Sequence, residues 1–228
     1  MTRRANARVA GISFLLYIAF GIPAMMLMSG ATRGENTAAR LASIAQHTAD
    51  VRLAALFVLI GGFCAIALGV SLYSITRVQD SDVALLAMVF RIAEGVIGGI
   101  AAQRSLSLVW LATAGRSGAH DAAATDGLAA YLLDGQGGPT SAMFFAVGSL
   151  LFAWLLLRGR MIPVPLAGLG VVASAAWIVG LPLQNAGLLP GPFTYAMWIL
   201  MAAFEVPFAL WLIVKGVSSP AAPAGRPS

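Results

Sequence analysis

Six stretches of this chain stay apolar for about as long as a helix needs to cross a lipid bilayer. They fall at about residues 9–28, 52–75, 83–112, 142–157, 164–186 and 193–214. A hydrocarbon core of about 30 Å takes roughly 20 helical residues. Inside it every backbone N–H and C=O must find a partner within the protein, which leaves helices or closed barrels. A barrel strand would alternate apolar and polar residues over about 10 positions, and these stretches do not alternate. The fold class is therefore all-α, a polytopic transmembrane bundle of six membrane-spanning helices. Composition agrees where it discriminates. Charged residues make up 10% of the chain and hydrophobic ones 59%, whereas soluble domains carry about 25% charged residues.

The first stretch follows Arg3, Arg4 and Arg8 and ends near "SGA" at 29–31, which resembles a signal-peptidase site. Its apolar core exceeds the roughly 7–15 residues of a signal peptide, so it reads as a retained anchor. "TRRANA" is a poor twin-arginine match. Residues 30–50 form a polar connection in which Leu41, Ile44 and Ala45 recur at helical spacing. A short helix lying on the membrane surface is expected there, started by Asn36 or Thr37. The longest polar loop, 115–140, carries His120, Asp121, Asp126 and Asp134. Within it "LAAYLLDG" places Leu128, Tyr131 and Leu132 on one face, with Gly135 as a C-cap, and predicts a second interfacial helix. Residues 1–216 then form a single transmembrane domain, and 217–228 a flexible tail.

Six spans put both termini on one side. That side holds Arg3, Arg4, Arg8, Arg77, Arg158, Arg160, Lys215 and Arg226; the other holds Arg33, Arg40, Arg52 and Arg116. The positive-inside rule places the first set, and both termini, in the cytoplasm. Abundant alanine, and arginine in place of almost all lysine, point to a GC-rich bacterial genome, and a bacterial inner membrane is the expected location. No repeat relates the two halves, as the simplest inverted-repeat transporter would require.

Several chemistries are excluded or weak. The net charge of +5 comes from arginines scattered at helix ends, with no basic cluster interleaved with aromatics, so no nucleic-acid partner is expected. Cys64 is the single cysteine, which rules out a disulfide or a cysteine metal site within one chain. The one lysine, Lys215, precedes glycine, so there is no phosphate-binding P-loop. His47 and His120 lie far apart in loops, and neither a zinc site nor a haem is expected. "GLGVVA" at 168–173 matches a loose dinucleotide fingerprint without the preceding strand; in a membrane span small residues serve close helix contact. No GxSxG elbow occurs. The reading calls for no cofactor, no metal and no catalytic residue.

Five charged residues lie within spans or at their ends: Arg91, Glu94, Arg104, Glu205 and Lys215. Lys215 and Arg104 sit where they can reach the surface. Arg91 is nine residues from Asp82, about 14 Å in, and Glu205 is ten from Lys215, about 15 Å in. Both fall near the middle of the membrane, with Glu94 one turn beyond Arg91. A central charge costs about 2.5–3.5 kcal/mol on the insertion scale, so span three is marginal alone and must face other helices. Arg91 and Glu94, at i and i+3, can pair within the helix, and Arg91 can fork towards Glu205. Gly95, Gly98, Gly99 and Ala102 form a small-residue stripe where a neighbouring helix can approach. Tyr17, Gln184 and Asn185 are weaker candidates for polar lining.

Three functions stay open on these residues. The Arg–Glu–Glu network specifies helix packing or regulation. Alternatively, it is the intramembrane site of a small transporter or proton-coupled permease, which would bring a small-molecule ligand. The third option is a lipid-modifying enzyme with Glu94 or Glu205 as acid/base. The lipid bilayer is the one partner common to all three.

The order of three motifs resembles a known group. "ALLAMVFRIAEGVIGG" (84–99) is similar to the third span of the bacterial domain-of-unknown-function family 4386. "LLLRGRMIPVPLAGLGVVA" (155–173) resembles that family's fourth-to-fifth helix connection, and "FEVPFALWLIVKGV" (204–217) its closing helix. The resemblance implies a six-helix integral membrane protein, carries no established activity, and makes Arg91, Glu94 and Glu205 counterparts of the family's buried charges. Gly95 stands where alanine is the commoner residue, and Pro207 after the glutamate is unusual and calls the straightness of the last helix into question.

Overall fold

Apolar length and a few polar caps decide the helix boundaries. The computed structural model describes residues 2–114, 122–134, 137–189 and 191–219. Eight helices occur among them: α1 (Arg3–Ala31), α2 (Thr37–Gln46), α3 (Thr48–Thr76), α4 (Ser81–Ala114), α5 (Ala122–Asp134), α6 (Gly137–Arg158), α7 (Val164–Asn185) and α8 (Gly191–Val214). Thr2 caps α1 by accepting the Ala5 N–H. Asn36 caps α2, its side-chain oxygen 2.8 Å from the Ala39 nitrogen, and so is the residue of the two expected candidates that does this work. α1, α3, α4, α6, α7 and α8 are each long and apolar enough to cross a membrane. They cover the six expected stretches. α1 and α3 run past the apolar ends because polar residues there continue the helix.

The spans close into a ring in chain order. α1 packs on α3, α3 on α4, α4 on α6, α6 on α7, α7 on α8, and α8 returns to α1. Large side chains fill the ring: Phe14 from α1, Leu72 from α3, Phe145 and Phe152 from α6, Trp177 from α7, and Phe204 and Phe208 from α8. "GLGVVA" belongs to this packing, since a Cβ on Gly170 would strike the Phe204 ring. α8 continues as helix through Pro207.

The two ends differ. At one, Arg3 Nη2 donates to the Ile75 carbonyl at 3.2 Å, Arg158 lies 3.8 Å from Asp80, and the Ser218 N–H donates to the Met161 carbonyl at 2.9 Å. The turns bearing Arg77, Arg158, Arg160 and Lys215 thus meet the start of α1. Val217 packs against the core here; of the expected tail, residues 220–228 lie outside the described residues.

At the other end α2 and α5 cover the ring. Ile44 of α2 is fully buried, with Leu41 and Ala45 beside it, against Ala31, Val51, Leu108, Val109 and Ala112. The apolar face of α2 thus packs on the bundle end. On α5 Leu128 and Tyr131 are exposed, while Ala129 is buried and Leu132 and Leu133 pack inward. The small Ala129 permits close approach, and Arg104 of α4 secures the helix by donating from Nη2 to the Tyr131 carbonyl at 2.8 Å. Arg104 is engaged by α5 rather than by the surface. His120, Asp121, Arg116 and the expected cap Gly135 lie outside the described residues.

Candidate functional site

Arg91 and Glu94 occupy successive turns of α4 on its inward face and are 1% and 2% exposed. Their i,i+3 spacing brings Arg91 Nη1 to 2.8 Å from Glu94 Oε2. From α1, the Tyr17 hydroxyl donates to Glu94 Oε1 at 2.7 Å. Both carboxylate oxygens are thus engaged, one by a cation and one by a neutral donor, an arrangement that offsets much of the cost of burying the charge.

The guanidinium has an aromatic surround. Its central carbon lies 4.9 Å from the Phe145 ring centroid, 5.3 Å from that of Tyr17 and 6.0 Å from that of Phe14. The Tyr17 and Phe145 rings are parallel to within 1°. Such faces carry negative potential and attract a cation, more strongly where water is excluded. Arg91 Nε and Nη2 have no hydrogen-bond acceptor among the described residues, so these rings supply the remaining stabilisation.

Two glycines make room for the arginine. A Cβ on Gly69 of α3 would lie 2.9 Å from Arg91 Cβ, and one on Gly148 of α6 would lie 3.1 Å from Arg91 Cδ. The stem of Arg91 passes between them. Next to it, a Cβ on Gly95 would sit 2.7 Å from the Gly62 carbonyl oxygen, and one on Gly62 2.9 Å from that of Gly95. Here the α3 and α4 backbones touch. Gly98 and Gly99 meet only Val58 and Leu59, at 3.8 and 3.9 Å, which is ordinary contact; Ala102 is buried.

Glu205 is placed differently. It is half-buried and lies within electrostatic range of Arg91, Glu94 and Tyr17. Among the described residues it makes no ion pair or hydrogen bond. The expected fork from Arg91 is not formed, because Glu94 takes the ion pair and aromatic faces cover the guanidinium. Gln184 and Asn185 are exposed at the end of α7 and are not brought to this cluster. Phe14, Phe145, Gly69 and Gly148 complete the site without having been singled out. Glycine at positions that face Arg91 was the available signal, but it needs the register between helices to be read.

Beside Arg91 lies a cavity of about 10 Å³ lined by Phe14, Leu72, Ser149, Phe204 and Phe208. That is the size of one water molecule.

The sequence model of a family described as a domain of unknown function (DUF4386) matches residues 9–216. The chain belongs to DUF4386. No curated protein and no solved structure matches it. The three motifs that resembled the family hold distinct parts of this DUF4386 member: the first carries Arg91 and Glu94, the second the α6–α7 turn at the basic end, and the third the helix that closes the ring.

Proposed function

We propose that this DUF4386 protein is an integral membrane protein of the bacterial inner membrane in which Arg91, Glu94 and Tyr17 act as a packing clasp. The clasp holds α4 against α1 and α6 and so specifies which helices meet, as a structural or regulatory element. The observation that carries this reading is the fit around Arg91: an ion pair, three aromatic faces, and free space for one water. A permease binding its solute at Arg91 would need a chamber of solute size, and a lipid-modifying enzyme a groove of lipid size. The gathering of Arg77, Arg158, Arg160 and Lys215 beside the start of α1 supports a cytoplasmic location for both termini.

The test is a pair of variants followed by thermal unfolding in detergent. Arg91→Ala leaves Glu94 buried without its cation and is expected to cost about 3–5 kcal/mol. Arg91→Leu combined with Glu94→Leu removes both charges and is expected to recover most of that loss. A double variant as unstable as Arg91→Ala would overturn the clasp.

A further inference from the structure

The clasp leaves out one ionisable side chain inside the ring. Glu205 shares a helix face with the buried Met201, Phe208, Ala209 and Leu212, so it points inward, yet it is only half-buried. Beside it, the seam between α1 and α8 changes along its length. Toward the basic end that seam is shut. A Cβ on Gly11 would lie 2.6 Å from the Ala209 carbonyl oxygen, and Phe14 packs edge-on against Phe208 at 6.1 Å. The inward stripe of α1 continues as Ala7, Gly11, Phe14, Ile18 and Gly21, at the spacing of a packed helix face. At Gly21, however, a Cβ would meet nothing within 4 Å, and Ala202, on the same side of α8 as Ala209, is exposed. Glu205, one turn from Phe208, stands between the close packing at Gly11 and Phe14 and the open space at Gly21.

An ionised Glu205 would have no cation of its own. α4 presents Arg91 and Glu94, which are paired with each other. α1 presents Tyr17, whose hydroxyl is donated to Glu94. α7 carries no ionisable side chain. One arginine between two carboxylates leaves a net negative charge at mid-membrane, and an unpaired carboxylate there is far more costly than the neutral acid. We propose that Glu205 is a proton-binding site reached along the α1–α8 seam, taking up and releasing one proton while Arg91, Glu94 and Tyr17 stay paired. The ligand is the proton, and the site is separate from the clasp.

Dicyclohexylcarbodiimide tests this in the full chain reconstituted into phosphatidylcholine vesicles. The reagent is apolar and adds to protonated carboxyls. The acid proton moves to a carbodiimide nitrogen and the carboxylate oxygen bonds to the central carbon. The acyl group then migrates to nitrogen, giving a stable N-acylurea with nothing lost. Peptide mapping by mass spectrometry is expected to place the adduct on Glu205 and not on Glu94. The yield should fall roughly tenfold per pH unit once the site has given up its proton. Gly21→Leu, which fills the open part of the seam, should slow labelling several-fold in a protein that still melts like the wild type, and Glu205→Gln should abolish the adduct. No adduct on Glu205 in the folded wild type, a yield constant from acidic to strongly alkaline pH, or equal labelling of Glu94 would each overturn the proposal. Labelling reads Glu205, and the melting of the Arg91 and Glu94 variants reads the clasp, so either can fail alone.

Discussion

The α3–α4 face and the α1–α8 face of the ring use the same residue type and pack in opposite ways. On the first, Gly62 and Gly95 bring two backbones into contact, and Gly69 opens a passage for the stem of Arg91. On the second, Gly11 does the same against Ala209, but Gly21, ten residues on along the same face, meets nothing. A glycine in a membrane helix permits close approach without ensuring it. Where the partner arrives, a buried arginine is enclosed and paired. Where it does not, a glutamate at similar depth is left half-buried and unpaired.

That contrast can be broken from either face. A large effect is expected for Gly95→Ala, whose new methyl would meet the Gly62 carbonyl oxygen, a backbone atom that cannot step aside. Helix separation should cost about 1–3 kcal/mol, read as a fall in the unfolding midpoint in detergent. Tyr17→Phe keeps the aromatic face on Arg91 and removes one donor from Glu94. A loss of about 1.5–3 kcal/mol is expected, typical of a hydrogen bond to a charged group, and an unchanged midpoint would show the ion pair to be sufficient by itself. Gly21→Ala belongs to the open face and should have the smallest effect, with the opposite sign. With nothing to displace, it should stabilise α1 by about 0.5–1 kcal/mol through helix propensity alone. Loss of stability at Gly21 would mean that the seam closes in the membrane.

Much of this was legible in the chain, and the reasons differ by feature. The six spans are visible because hydrocarbon thickness imposes a length that composition reports directly. The Arg91–Glu94 pair is visible because spacing along one helix fixes geometry within that helix. What lies across helices is not written locally. Glu205 was matched to Arg91 by depth, and the two do lie in electrostatic range. Which carboxylate takes the cation depends on helix rotation, and one turn of separation on α4 gives Glu94 the advantage. The rings of Phe14 and Phe145 were invisible for a related reason, because aromatic residues occur throughout these spans and only packing selects the ones that surround a cation. On α5 the inward face centres on Ala129, whose small side chain carries little weight in a sequence yet allows close approach.

The ring order also bears on how the protein is made. The Gly11 face of α1 finds its partner in Ala209 and Ile213 of α8, at the opposite end of the chain. Synthesis runs at about 5–20 residues per second, so the first helix waits roughly 10–40 s for the last. Before it arrives, once α4 and α6 have been made, Tyr17 can already reach Glu94 and Arg91 can already lie against Phe145. The polar centre can therefore assemble in an open, five-span intermediate, and the final helix enters as a wall set against a finished interior. A nascent chain stalled before residue 204 would present that interior to lipid along one side, which marks the completion of α8 as the step that closes the ring.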